Sequence, residues 1–417
     1  MDCTEKKRRK DRAIDAVVFT VLLAAVSAVS LQLFYMQTQG GVDTDMKAYI
    51  LEMQGLDSGY SFPYPIFFKL AGLVHLFASP ELSVAVALVL MNGLGMVVTK
   101  LAFNRLARES GGGTAFPWYS GVICSLLAVS LFFISMLYPP KGIYLARFGI
   151  RFRYLGVFTA NPLHNATYMA ARPFAILAFL WYGKLLDTYE EGVGKNGKDY
   201  LLFALFLFLA TMTKPSFTLV LVSSAGLLML YRLFRSGFKK FVPAIQLGLC
   251  FIPTFLALLY QYTGVFGPAE GEERGIGFCF GSVWKEYCDN IPLGICLAMA
   301  FPLAVLVLNW KEVRRNTLTR FSWMLYLVSL AEAFLFYEKG FRRLDFNFSW
   351  GYMYGIFFCH FSSLLLLTRL TAENRKHAGQ RQKVRSGLLL LQWLVYLWHV
   401  ICGIFYFRDI LAGISYY

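Results

Sequence analysis

Charge is what this sequence lacks most. Of its 417 residues only 16% are charged, while 57% are hydrophobic; a soluble chain of this size carries roughly a quarter charged. An ordinary water-soluble domain is thereby excluded. Histidine is scarce too, with five scattered residues. There is no HExxH, no CxxC and no cluster of His and Cys at ligand spacing, so the sequence indicates no metal site and leaves the cofactor unknown, any divalent-metal requirement included. The chain has no GxxxxGK[ST] loop to cradle nucleotide phosphates, which argues against an ATP-driven pump. No linker, internal repeat or polar domain interrupts it, and residues 1–417 read as a single transmembrane domain.

In place of charge the chain has apolar runs of about 17 to 25 residues, each long enough to cross roughly 30 Å of hydrocarbon. Backbone groups find no water there, so the runs must be helices. The expected fold is all-α: a polytopic membrane protein of about eleven transmembrane helices plus a juxtamembrane helix on the outer face. A net charge of +15 invites nucleic acid as a partner. The basic residues, however, sit in "KKRRKDR" before the first run and in short connections between later ones, which is the pattern that keeps Lys and Arg cytoplasmic. Membrane lipid, and no nucleic acid, is the partner this implies. The first run, Ala13 to about Tyr35, is too long for a signal-peptide core and reads as an uncleaved anchor, although "AVSAVS" within it imitates a cleavage site.

With the N-terminus cytoplasmic, residues 36–81 form a first outer loop. Its apolar piece, Phe62 to Ala78 ("FPYPIFFKLAGLVHLFA"), is not a span, because a crossing there would invert every later basic loop. Lys69, His75 and the prolines suit a helix lying on the surface. Spans then fall at Leu82–Phe103 and near 115–137, 167–187, 199–213, 216–232, 241–262, 290–309, 321–337, 350–370 and 387–406. Outer loops follow at 138–166 and 263–289. Cys279 and Cys288 share the latter and are a candidate disulfide in an oxidising compartment. Within the spans Asn92 and Glu332 are candidates to bond across helices.

The outer loops hold the residues that break the charge rule. Asp43 and Asp45 lie in "GVDTDMKAYILEMQG". The 138–166 loop and the start of the next span carry Lys141, Arg147, Arg151, Arg153 and Arg172, and a helix there would put Arg147 and Arg151 on one face. "TMTKPSF" sets Lys214 in a tight joint, and "YEKGFRRLDFNFSWGY" supplies Glu338, Arg342, Arg343 and Asp345. Each cation has an ordinary alternative as a headgroup anchor. Together they are suited to a lipid-borne phosphate ester: a carboxylate takes a proton from an acceptor hydroxyl while Arg or Lys stabilises the departing phosphate. Asn165-Ala-Thr167 and Asn347-Phe-Ser349 also match the glycosylation sequon.

On these residues the chain resembles the GT-C membrane glycosyltransferases, in the branch of protein mannosyltransferases and aminoarabinose transferases. "DMKAY" is similar to the acid-then-tyrosine start of that branch's surface helix, "PYPIFFKLAGLVHLF" to its Pro-Pro-Leu segment, and "TKPSF" to its Thr-Lys-Pro joint. The resemblance implies a polyprenyl-phosphate-linked or polyprenyl-pyrophosphate-linked sugar as donor, an acceptor glycan, lipid or protein, and an extracytoplasmic active site in a multi-pass protein of a bacterial plasma membrane. Asp45 would be the general base, with Asp43 as the alternative. Lys214, Arg147, Arg151, Arg153, Arg342 and Arg343 would hold the lipid phosphate, and Tyr49, His164 and Glu338 would contact substrate. The branch usually has Asp-Glu where this chain has Asp45-Met46, and Pro-Pro where it has Pro63-Tyr64-Pro65. Two other classes compete: a polysaccharide polymerase or ligase using undecaprenyl-pyrophosphate glycans, which needs no first-loop aspartate, and a transporter or lipid flippase, which should show paired polar interruptions at mid-membrane depth.

Overall fold

The computed structural model describes residues 3–40, 42, 44–110, 118–137, 144–145, 150–151, 158–194, 196–265, 275–375 and 380–414. Apolar runs wind into helices that satisfy their own backbone, and the described residues are 79% helical with almost no sheet. In order come α1 (Cys3–Thr38), α2 (Met46–Met53), α3 (Ile66–His75), α4 (Pro80–Ser110) and α5 (Trp118–Ser130), then the hairpin β1 (Tyr144–Leu145) and β2 (Ile150–Arg151). There follow α6 (Ala166–Thr188), α7 (Gly197–Thr213), α8 (Ser216–Arg235), α9 (Phe241–Leu249), α10 (Ile252–Val265), β3 (Ile276–Phe278) and α11 (Ser282–Lys285). The chain closes with α12 (Ile291–Leu308), α13 (Trp310–Arg315), α14 (Thr317–Leu335), β4 (Phe336–Glu338), α15 (Ser349–Asn374) and α16 (Gln380–Leu411).

This is a multi-pass, all-α membrane protein. Among the described residues eight helices (α1, α4, α6, α8, α12, α14, α15 and α16) are long and apolar enough to cross a bilayer, and α9 with α10 makes a ninth if the pair, bent by 50°, counts as one span. Two of the roughly eleven expected spans are shorter: α5 has 13 residues and α7 has 17. The apolar piece at Phe62–Ala78 yields the ten-residue α3, about 15 Å long at 1.5 Å per residue and too short to cross. Its Leu73, Leu76 and Phe77 are exposed, as an interfacial helix requires.

Helices α6 and α15 form the centre and are buried along most of their length. Their aromatic rings pack closely, Tyr168 tilted on Tyr354 at 4.2 Å and Phe179 stacked on Phe358 at 4.3 Å, with Phe321 of α14 stacked beside Phe179. Arg172, counted above with the outer-loop cations, is a buried residue inside α6. One guanidinium nitrogen donates to Asn161 Oδ1 and another to the Ala160 carbonyl at 2.6 Å, and the group lies 4.6 Å over Phe357. At the far end of the bundle Lys100 pairs with Asp15 and Lys184 with Asp199 at 2.6 Å. Of the two polar residues expected to bond across helices, Glu332 of α14 meets Ser223 of α8, whereas Asn92 bonds its own helix at Leu88 O.

After Ser130 the expected third span unwinds, and its backbone is satisfied from outside. Asn161 Nδ2 donates to Leu131 O (3.0 Å) and Ile134 O (2.8 Å), and Thr159 donates to Ile134 O (3.2 Å). Leu137 N takes the Leu297 carbonyl of α12 at 3.0 Å. That carbonyl would otherwise serve Phe301 N four residues on. Phe301 N instead donates to His399 Nε2 (3.2 Å), while His399 Nδ1 donates to Ser135 O (2.6 Å), which fixes one neutral tautomer of the ring. Pro302, next in α12, has no N–H to place. Unpaired groups at this depth would each be costly.

Cys279 and Cys288 do not pair. Both are free thiols; Cys279 Sγ faces the Phe334 and Phe336 carbonyls at 3.6 and 3.7 Å, and Cys288 is buried.

The unwound segment runs so close to α16 that a Cβ on Gly403 would overlap the Phe133 carbonyl, whereas Gly226, exposed on α8, has nothing within 4 Å. Gly403→Ala should therefore lower the thermal midpoint in detergent, by an overpacking cost of about 1–3 kcal/mol or more. Gly226→Ala should leave it unchanged or raise it, since a helical Gly→Ala gains up to about 1 kcal/mol.

Candidate functional site

Asp45 precedes the first turn of α2 but does not cap it; its backbone is helical (φ −70°, ψ 0°) and its side chain bonds no helix N–H. One oxygen, Oδ2, instead accepts from Tyr49 OH at 3.2 Å and from Asn165 Nδ2 at 2.6 Å. The residue is otherwise exposed.

Asn165 caps α6 from an extended backbone, its Oδ1 accepting from Tyr168 N at 3.0 Å. The same oxygen accepts from the Thr167 hydroxyl at 3.1 Å and from Lys214 Nζ at 3.1 Å. Lys214 comes to this point because a residue before proline is pushed out of the helical region. It ends α7 in an extended conformation (φ −165°, ψ 127°), and Pro215 starts α8. Its side chain turns into the bundle and is only 7% exposed. Nζ also donates to Thr167 Oγ1 at 3.3 Å and lies 4.6 Å over the Trp350 ring. All these partners are neutral. Burial pulls the Lys214 pKa down to about 8, with Asp45 opposing the shift.

Tyr49 links the two halves, its hydroxyl also lying 3.2 Å from Thr167 Oγ1; burial, then the Asp45 charge, pushes its pKa well up. Tyr64, raised likewise by burial, reaches Thr167 from the loop before α3. His164 stacks on Trp350 at 5.4 Å, and burial together with Lys214 drops its pKa to about 3, so the ring is neutral.

A second group rims the site. Glu338 on β4 pairs with Arg342 at 3.2 Å and accepts from Asn347 Nδ2 at 3.0 Å, while Arg342 also reaches Asp345 at 3.4 Å. Burial raises the Glu338 pKa and Arg342 opposes it. Trp350 Nε1 donates to Asn347 Oδ1 at 3.0 Å, which ties the rim to the ring under Lys214. Beside the Asp45 side runs an open groove of about 730 Å³ whose walls include Glu52, Tyr60, Phe62, Tyr64, Lys69 and Tyr260. Tyr64 belongs to both groove and site.

The sequence candidates thus divide. Asp45, Tyr49, His164 and Lys214 converge, with Glu338 and Arg342 at the rim. Arg342 is held by acids, and exposed Arg343 lies 5.5 Å over Tyr337, away from this cluster's hydrogen bonds. Asp43, Arg147 and Arg153 lie outside the described residues. Arg151 is in β2, opposite Tyr144, so the helical spacing envisaged for Arg147 and Arg151 does not apply there. Sequence reasoning missed Asn165, Thr167, Tyr64 and Trp350 as site members. Asn165 and Thr167 were visible only as a sequon, yet Asn165 is buried with its amide engaged on both sides. Asn before an apolar run is also a cap signal, and that was the informative reading.

No family model, curated protein or solved structure matches the chain.

The Lys214 environment sets a pH dependence. With the folded pKa near 8 and the unfolded one near 10.4, the unfolded chain holds more protons between these values, so stability rises with pH across that window. Thermal unfolding should show the parent gaining on Lys214→Met from pH 8 to 10.5. A constant difference would contradict a depressed Lys214.

Proposed function

We propose that the protein is a glycosyltransferase that moves a sugar from a polyprenyl-phosphate or polyprenyl-pyrophosphate donor to an acceptor hydroxyl on the extracytoplasmic side of the membrane. The observation that carries this reading is the Asp45–Asn165–Lys214 chain: an exposed carboxylate joined through one amide to a buried ammonium whose contacts are all neutral. A buried cation without a contacting acid favours an anion beside it, and a carboxylate with one oxygen held is oriented for proton transfer.

In this mechanism Asp45 takes the proton from the acceptor hydroxyl as its oxygen attacks the anomeric carbon. The bond from that carbon to the phosphate oxygen breaks, and its electron pair leaves on the phosphate. Lys214 stabilises that charge, and Asn165 holds base and cation at a set separation. Tyr49 and His164 shape the pocket, the latter as a neutral ring. Glu338 and Arg342 are a paired rim that contributes to the field at Lys214. The first-loop acid distinguishes this reading from a polymerase or ligase.

One observation favours a transporter as the second reading: α5 unwinds inside the bundle next to the Pro302 position of α12. Against it, the freed carbonyls of Leu131, Ile134 and Ser135 are already taken by Asn161, Thr159 and His399 rather than turned toward cargo.

Purified protein in lipid, given a polyprenyl-phosphate sugar and acceptor, should release polyprenyl phosphate. Asp45→Asn should cut turnover by roughly 10²–10⁴-fold with donor binding retained, and Lys214→Ala should weaken donor binding. Full turnover by Asp45→Asn sinks the base assignment. Movement of substrate across proteoliposomes without release of polyprenyl phosphate would favour the transporter.

A further inference from the structure

Strand β3 presents an apolar face that is largely exposed, with the Phe278 ring edged by Phe336 at 5.2 Å. Ile276 is 53% exposed, Phe278 69% and Phe280, just past the strand, 69%, while Gly277 between them is buried. Its register against the end of α14 gives its depth. Ile276 pairs with Glu338 and Phe278 with Phe336 in antiparallel β3–β4. The pairing continues onto the helix itself, Cys279 N donating to Leu335 O at 2.9 Å and Gly281 N to Phe334 O at 2.6 Å.

Helix α14 is one of those long and apolar enough to span a bilayer, and it ends at Leu335. A chain running antiparallel past that end must descend, so Phe280 lies level with the last turn of the helix. Two backbone features hold the descent. Gly281 has φ +78°, and a Cβ there would strike the Phe334 ring. Phe280 itself has φ +45°, a left-handed conformation that aromatic residues avoid. Water would gain nothing for a strained backbone that also displays an aromatic ring, whereas acyl chains at that depth would take up the ring.

We propose that the Ile276–Phe280 tip is a membrane-dipping anchor, inserted among the lipid acyl chains beside the end of α14. The order of depth is then Ile276, Phe278, Phe280, with Phe280 deepest. Because Ile276 pairs with Glu338, the anchor fixes the height of the Glu338–Arg342 rim relative to the bilayer. The inference rests on α14 as a span and is independent of the chemistry proposed at Asp45.

Depth is measurable by nitroxide labelling of the full chain in phosphatidylcholine vesicles. Native cysteines are replaced, and single cysteines are placed by Ile276→Cys, Phe278→Cys, Phe280→Cys and, in the exposed α2–α3 loop, Asp57→Cys. The ratio of collisions with oxygen to collisions with a water-soluble nickel chelate should rise from Asp57 to Ile276 to Phe280. If Phe280→Cys fails to insert, Phe278 exceeding Ile276 carries the same result. Chelate access at 278 and 280 equal to that at Asp57 overturns the proposal. So does exclusion of both reagents with dipolar broadening at full labelling, which would place a second copy of the chain on this face instead.

Discussion

The amide of Asn165 is the contact on which the rest of this structure turns. One small side chain caps α6, receives the Lys214 ammonium and donates to the Asp45 carboxylate. An amide can do this because it has a donor and an acceptor end about two ångströms apart. Aspartate at the same place would still cap and bind lysine, but it would repel Asp45. Alanine would leave the first turn of α6 uncapped at about 1 kcal/mol and leave the buried ammonium with the Thr167 hydroxyl and the Trp350 ring. The helix start and the site are one piece of chemistry.

The layer beneath repeats the device. Asn161, four residues earlier, receives Arg172 on its oxygen and gives its amide hydrogens to the carbonyls of the unwound segment after α5. Both asparagines lie on the buried 158–165 stretch, and each couples a buried cation to something across the bundle. Their second partners differ. Arg172 is met by a backbone carbonyl and the Phe357 ring as well, and it lies deep within α6. Lys214 ends a helix and is one amide from a carboxylate whose residue is exposed. The deeper cation ties α6 to the unwound segment, and the shallower one sits one amide from an exposed acid, as the glycosyl-transfer proposal requires of it.

That the chain crosses a membrane several times was legible because lipid leaves so few options: among the described residues eight helices are long and apolar enough to span, fewer than the roughly eleven expected, and Phe62–Ala78 holds only a ten-residue helix, too short to cross. Unwinding after Ser130 was not legible, since "LFFISML" is as apolar as any span and the cause lies in Asn161, Thr159 and His399, distant in sequence. At the site Asp45 and Lys214 stood out as charges in an uncharged chain. Asn165, Thr167 and Trp350 did not, because neutral polar and aromatic residues are common and their role exists only through contacts. Arg172 shows the converse: a cation grouped with the outer-loop charges proved to be buried in the bundle and bonded to Asn161 and the Ala160 carbonyl.

What this arrangement favours follows from its imbalance. Lys214 is desolvated, and its nearest anionic charge lies beyond an intervening amide, close enough to oppose its pKa shift and too far to cancel it. Moving Asp45 into contact would make a tight buried ion pair, which spends its attraction internally and leaves little for a ligand. Removing Asp45 altogether would let the lysine pKa fall further and weaken its hold on the proton. A carboxylate held one amide away keeps the cation charged without satisfying it. On the glycosyl-transfer reading the same spacing keeps the base for the attacking hydroxyl and the cation for the departing phosphate as separate groups, so the electrostatics of the site and the demands of the reaction fall on the same residue, Asn165.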